Sequence, residues 1–333
     1  MNISWQKSKI NVKGETIEAV APLIISASRS TDIPAFHSEW FMERLKAGYL
    51  KWINPFNRQP QYVSFEKVRV VVFWTKNAKP IIKYLPEIDN KGVNYYFTFT
   101  INDYETEGLE PHIPSLKERI KTFKELSEKI GKEKVIWRFD PLVLTDNLGI
   151  KELVKKIEKV GAEIHSFTEK LVISFADIST YNRVKNNLTK RRIKFRNFDE
   201  NNMRDIASEL QRLNKKWGLE IATCAEKVDL SAYGIKHNKC VDDQLMLKLF
   251  KKDPILMNFL GYEDTLYGNE LGQNLKDKGQ RKECGCIISK DIGQYNTCKH
   301  LCVYCYANHS EQLVKTNFEK KSKSPFGESI TGE

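Results

Sequence analysis

Three cysteines late in the chain, Cys298, Cys302 and Cys305, form a CxxxCxxC run inside the segment CGCIISKDIGQYNTCKHLCVYCYAN, residues 284–308. Three thiolates on one tight loop can hold a 4Fe-4S cluster and leave one iron open to a further ligand. Four thiolates close such a cluster and suit plain electron transfer, so a count of three implies that something else must bind. Zinc is the competing reading, although zinc usually draws on separated CxxC pairs; the ferredoxin spacing differs as well. The sequence holds 7 cysteines, an odd number that argues against a disulfide framework in the reducing cytoplasm expected for this chain. The other four, Cys224, Cys240, Cys284 and Cys286, match the number that closes a second, auxiliary 4Fe-4S cluster. Structural zinc or unmetallated thiols are the alternatives there, with Cys240 the weakest member.

Such sites need a scaffold, and six short apolar runs supply one: Leu23 to Ala27, Val70 to Trp74, Tyr95 to Thr100, Val135 to Phe139, Leu171 to Phe175 and Leu219 to Thr223. Their β-branched and aromatic content suits parallel strands buried on both faces. Helical patterns alternate with them. Ser115 to Glu118 reads as a capping box with Gly131 as the stop, and the patterns Ile150 to Val160 and Asn202 to Trp217 end at Gly161 and Gly218. The expected fold is α/β, a partial (β/α)6 TIM-type barrel over residues 1–223, followed by a cysteine-rich iron-sulfur region at 224–310 and a tail at 311–333 that is partly disordered beyond Lys320. Residues 49–66, with Pro55 and Pro60, read as an inserted loop or hairpin.

Parallel barrels place their chemistry past the carboxyl ends of the strands. Polar residues gather there: Ser28, Arg29 and Asp32; Thr75, Lys76 and Asn77; Asn102 and Asp103; Arg138 and Asp140; Asp177; and Glu226. Arg29, Lys76 and Arg138 are expected to hold carboxylate or phosphate groups, and Asp140 and Asp177 to orient hydroxyls or accept protons. Ser28, Thr75, Asn77 and Glu226 are expected to contact a cofactor. Structural roles compete: Asp32 and Asn77 suit helix N-caps, and Asp140 with Pro141 suits a turn. His300 and His309 could tune or replace a ligand, although solvent exposure is the commoner outcome, and His37 is expected on a helix surface.

The CxxxCxxC run, with Tyr304 directly before its last cysteine, resembles the signature of the radical SAM superfamily. That resemblance implies a cluster on Cys298, Cys302 and Cys305 whose open iron chelates the amino and carboxylate groups of S-adenosylmethionine. It also implies reductive cleavage to a 5′-deoxyadenosyl radical, electrons from a protein such as a flavodoxin or ferredoxin, and a place for Tyr304 near the adenine. From SRSTDIPAF through FWTKNA and WRFDP to DIGQYNTCKHLCVYCYAN, nearly the whole chain resembles a bacterial and archaeal family whose carboxy-terminal cysteine cluster looks like this motif. FWTKNA and RFDP are distantly similar to spore photoproduct lyase and photolyase-like radical SAM proteins. In most of the superfamily the cysteine loop follows the first barrel strand; here it follows the last. Closing a barrel brings the last strand toward the first, so the loop can still reach the same mouth.

A net charge of +11 permits a nucleic-acid partner, and repair or modification of nucleic acid is a narrower form of the enzymatic reading. A non-enzymatic zinc or iron-sulfur module is the third reading. The sequence has no apolar run near the roughly 18 residues that would cross a bilayer, so neither a membrane nor a signal segment is expected.

Overall fold

Each of the six apolar runs is a strand of one sheet in the computed structural model, which describes residues 5–265, 268–271 and 274–332. We label the strands of this central sheet β1 (Ile24–Ala27), β2 (Val70–Thr75), β3 (Asn94–Thr100), β4 (Val135–Leu142), β5 (Lys170–Phe175) and β6 (Glu220–Thr223). Two strands too short to show a periodicity complete it, β7 (Ile235–His237) and β8 (Lys290–Asp291). The spatial order is β7-β6-β5-β4-β3-β2-β1-β8, and every neighbouring pair is parallel. The sheet is therefore an open α/β sheet of 8 strands in simple sequential order. Pairing Lys290 with Ile25 and Asp291 with Ser26 brings the chain that leads into the CxxxCxxC loop alongside β1.

Both faces are buried, as parallel strands require. Ile25, Ala27, Val71, Phe73, Phe97, Phe99, Trp137 and Ile173 point into the larger core, which also takes Ile292, Val303 and Ile330 from the carboxy-terminal region. Ile24, Val70, Val72, Tyr96, Ile136 and Val172 face the other way, against Met246, Phe250, Leu256 and Ile287. The cysteine-rich region thus shares both cores with the sheet.

The helix Leu116–Ile130 opens with the expected reciprocal capping box of Ser115 and Glu118, and Gly131 ends it. Glu200–Trp217 stops at left-handed Gly218. Gly161 does not act as a stop: its helix runs from Ile150 to Ile164. The glycine instead makes room for Trp217, whose Cζ2 would lie 2.3 Å from an added Cβ. Alanine ordinarily stabilises a helix interior by about 1 kcal/mol over glycine. Here overpacking reverses the sign, and Gly161→Ala is expected to destabilise the protein by about 1–3 kcal/mol, read as a lower midpoint in urea denaturation.

The inserted segment is a hairpin, Tyr49–Ile53 with Pro60–Ser64, and it joins Lys7–Val12 and Glu15–Val20 in a separate four-stranded sheet. The tail departs from the expected disorder. Glu311–Lys323 is a helix, and the residues beyond it fold back on the protein. Trp40 Nε1 donates to Gly327 O at 2.9 Å, Tyr62 OH to Glu328 Oε2 at 2.8 Å, and Ile330 is buried. The lysine-rich KKSKS stretch suggested disorder because it is a polar helix end, but the apolar anchor lies seven residues further on, at Ile330. Among the described residues, no helix is long and apolar enough to cross a membrane.

Candidate metal centre at the strand ends

Asp291, the last residue of β8, holds the cysteine loop against β1. Its carboxylate accepts from Ser26 Oγ at 3.0 Å, Ser28 Oγ at 2.8 Å, Arg29 N at 2.8 Å and Gly293 N at 2.9 Å. A Cβ on Gly293 would meet Ser28 Oγ at 1.9 Å, so only glycine lets the two loops approach this closely. Further along, Tyr306 OH donates to Arg29 O at 2.8 Å.

Asp32 makes the second tie. It caps its short helix as expected, accepting from Ala35 N at 2.9 Å, but it also accepts from Thr75 Oγ1 at 2.8 Å and Lys76 N at 2.7 Å. His300, in the middle of CxxxCxxC, places Nε2 2.9 Å from the same carboxylate. His300 is buried at 2 % exposure, contrary to the solvent-facing position expected for it. His37 is buried as well rather than on a helix surface: Nε2 donates to Thr297 O at 2.8 Å, while Nδ1 accepts from Lys321 Nζ at 2.7 Å. Burial, reinforced by the charge of Lys321, pushes His37 down to about 3, which keeps it neutral. His309 stays exposed, beside Asn296. Both histidines joined an apolar environment through a partner distant in sequence, which local pattern does not reveal. Asp32→Ala leaves four donors buried without an acceptor and is expected to cost roughly 3–5 kcal/mol. Chemical denaturation should show it, with Asp32→Asn milder because it keeps one acceptor oxygen.

A third group surrounds Tyr304. Lys76 Nζ lies 2.8 Å from Glu110 Oε1 and 3.0 Å from Tyr304 OH, and Tyr304 also donates to Glu110. Asn102 Nδ2 reaches Glu110 Oε1 and Tyr304 OH, each at 3.1 Å, and Arg119 Nη1 stands 3.8 Å from Glu110 Oε2. Burial would raise Glu110, but Lys76 and Arg119 together hold it below the usual carboxylate range. The Tyr304 hydroxyl is thus anchored in a buried charged network. Glu110, Asn102 and Asp291 are the functional candidates that the sequence reading left out of its site. Glu110 sits in a loop with no motif, and Asp291 ends a strand of two residues.

Arg138 is committed on two sides. Its Nε and Nη2 bind Asp140 Oδ2 at 3.0 and 2.6 Å, and its Nη1 lies 2.8 Å from Cys240 Sγ. Asp140 in turn accepts from Ser174 Oγ and lies inside β4, followed by a cis Asp140–Pro141 bond, so it is part of the strand end and not a loop turn. Arg29 and Arg138 each place the guanidinium carbon 5.3 Å from the Trp74 ring centroid. Arg29 Nη2 and Trp74 Nε1 are buried without a hydrogen-bond partner. Burial lowers the Arg29 pKa, but nearby Cys286 and Asp291 more than offset that, so it is raised.

The remaining predicted residues divide. Thr75 and Ser28 belong to the two ties just described. Asn77 accepts from Lys79 N at 3.1 Å, the capping role weighed for it. Glu226 accepts from Phe175 N at 3.0 Å, and burial raises its pKa. Asp177 is exposed and binds Thr180, forming a local turn away from these networks.

The seven cysteines form two sets, all of them free thiols. Cys298, Cys302 and Cys305 lie on the docked loop, where Leu301 takes a left-handed φ of 51° that bends the chain between the first two. Burial pushes all three thiols up, and each of Cys302 and Cys305 adds to the shift of Cys298. In the other set, Cys224 Sγ and Cys240 Sγ are 3.6 Å apart, Cys240 N donates to Cys286 Sγ at 3.2 Å, and Asn238 Nδ2 donates to Cys240 Sγ at 3.0 Å. The hydrogen bond from Cys240 pulls Cys224 down to about 7, with help from Arg138. Gly285 lets this loop pass Lys239, whose Cγ would be 3.0 Å from an added Cβ. Among the described residues, no group of three or more His, Cys, Asp or Glu side chains is arranged to hold a metal ion. The donor set of the docked loop nevertheless suits a cluster, whose ligands each bind a different iron and need not converge on one point.

The fold and site together define an open parallel α/β protein with two cysteine sets beside the strand ends. The chain belongs to the family described as "Domain of unknown function (DUF1848)", whose model matches residues 24–307. No curated protein matches it. A solved structure from Bacteroides thetaiotaomicron, provisionally described as an alpha-L-fucosidase, is similar at 10% identity and a TM-score of 0.25, over 60% of this chain and 75% of that one. At that score the likeness carries no argument.

Proposed function

We propose that this protein is a cytoplasmic radical SAM enzyme with a permuted cluster loop, built on a partial barrel, with Cys298, Cys302 and Cys305 as the cluster ligands and the other four cysteines as ligands of an auxiliary 4Fe-4S cluster. The observation that carries the reading is the docking of the CxxxCxxC loop on the loop after β1 through Asp291 and the Asp32–His300 contact. The sequential strand order, with β8 paired to β1, suits a barrel that is open between β7 and β8. When bound, a 4Fe-4S cluster on three thiolates supplies one electron to S-adenosylmethionine on its open iron, which splits it to methionine and a 5′-deoxyadenosyl radical.

The chain's own residues would prepare that chemistry. Asp32 and Asp291 fix the loop's position before the cofactor binds. Lys76, neutralised by Glu110, sets a buried cation beside Cys302, where it stabilises thiolate charge. Tyr304, held by its hydroxyl, presents a fixed ring wall rather than a mobile one. Arg29, with one buried nitrogen unpaired, is the cation best placed to receive a carboxylate or phosphate group. Arg138 is already occupied by Asp140 and Cys240, so its role is to hold charge in place rather than to take up substrate.

The test is anaerobic reconstitution with iron and sulfide, reduction in the presence of S-adenosylmethionine, and assay of 5′-deoxyadenosine. Product formed above a no-protein control supports the reading. Zinc without iron and sulfide after anaerobic purification would replace it with the non-enzymatic module. The charge of +11 favours nucleic acid as the substrate class over a neutral small molecule. Binding to DNA or RNA that weakens steeply with salt is the expected sign of that.

A further inference from the structure

The two cysteine sets are joined by a continuous run of side chains. Tyr306 follows Cys305 directly, and its hydroxyl donates to Arg29 O at 2.8 Å. The Arg29 guanidinium carbon lies 5.3 Å from the Trp74 ring centroid, and the Arg138 guanidinium carbon lies at the same 5.3 Å. Arg138 Nη1 then contacts Cys240 Sγ at 2.8 Å. Only three side chains, Arg29, Trp74 and Arg138, separate the docked loop from the second set, and the path is buried throughout.

We propose that the four-cysteine site is a redox centre coupled to the loop centre across the Arg29–Trp74–Arg138 stack, rather than a structural metal site. This rests on the reading above for the identity of the two centres. In the step proposed, a one-electron donor protein of flavodoxin or ferredoxin class reduces the four-cysteine cluster by one electron. That cluster then returns to its oxidised state by passing the electron to the loop cluster, and no bond is made or broken. The argument is one of charge and distance. A site that closes on four thiolates in a low-dielectric interior carries excess negative charge that grows on reduction, and a buried cation in direct contact offsets it. Arg138 is that cation, and it is only 4 % exposed. Asp140 shares it, so the compensation is partial, and Asp140 itself is held by Ser174. A closed zinc site does not change charge and has no need of such a contact.

The test uses the reconstituted full chain. Iron analysis should give about eight irons per chain, four for each centre. With both centres reduced, the paramagnetic resonance spectrum should show magnetic interaction, and Cys284→Ala/Cys286→Ala should leave the signal of one isolated cluster. A redox titration of Arg138→Gln should shift the four-cysteine centre to a more negative potential, while Arg138→Lys, which keeps the charge, should stay near the parent. The proposal is overturned by zinc in the second site, by two reduced clusters that do not interact, or by an unchanged potential in a folded, iron-replete Arg138→Gln protein. Should Arg138→Gln fail to fold, the interaction in the parent and its loss in the double cysteine variant decide the matter. Failure of S-adenosylmethionine cleavage with both clusters present and interacting would sink the enzymatic reading and leave this one standing.

Discussion

Replacing Cys298, Cys302 and Cys305 together with alanine is expected to abolish 5′-deoxyadenosine formation, a loss of at least about a hundredfold, or roughly 3 kcal/mol of barrier lowering by the rate relation. Iron should fall by about four atoms per chain, since three ligands hold one cluster. The fold should survive. The loop is seated by Asp291 and Asp32 and by Val303 in the core, none of which depends on the sulfurs. A circular dichroism spectrum like the parent's, with a melting midpoint within a few degrees, would therefore separate loss of the cofactor from loss of structure. Alanine at Cys224 and Cys284 is the contrasting case: it should remove the second centre and leave one cluster spectroscopically intact. A triple variant that cleaves S-adenosylmethionine as well as the parent would end the proposed mechanism.

That loop was legible in the sequence because its chemistry is local. Three cysteines within eight residues need no knowledge of the fold, and the six apolar runs announce buried strands by composition alone. What the sequence concealed is how distant segments meet. β8 is only two residues long, below the length at which alternation or an apolar run can be recognised. Its pairing with β1 is nevertheless what delivers the cysteine loop to the loop after β1. Asp291, Glu110 and the burial of His37 and His300 were missed for the same reason. Each is defined by a partner more than thirty residues away in sequence, and a polar residue in a loop carries no periodic mark of burial. Gly161 shows the converse error, in which a local rule was overridden by packing: a glycine read as a helix stop turns out to accommodate Trp217. Arg138 illustrates a subtler one. The expectation that an arginine after a buried strand holds an anion was sound, but the anion is supplied by the chain itself, two residues on, at Asp140.

The charged network behind Tyr304 makes the largest stability claim. Lys76 is raised above its ordinary pKa: burial works against the charge, but Glu110 restores it. Glu110 side-chain exposure is 1% and that of Lys76 is 17%, so neither charge can be handed to bulk water when its partner is removed. Glu110→Ala strands Lys76 and leaves Tyr304, Asn102 and Arg119 short of an acceptor, and it is expected to cost roughly 3–5 kcal/mol. Adding Lys76→Met removes the stranded charge and should recover a large part of that loss, because a paired deletion in a buried site is far cheaper than a single one. Recovery will be incomplete, since Arg119 also faces Glu110, at 3.8 Å. The measurement is a double-mutant cycle by urea denaturation. If the double variant is less stable than Glu110→Ala alone, Lys76 gains its stability from something other than this carboxylate, and Cys302 is the neighbour to examine next.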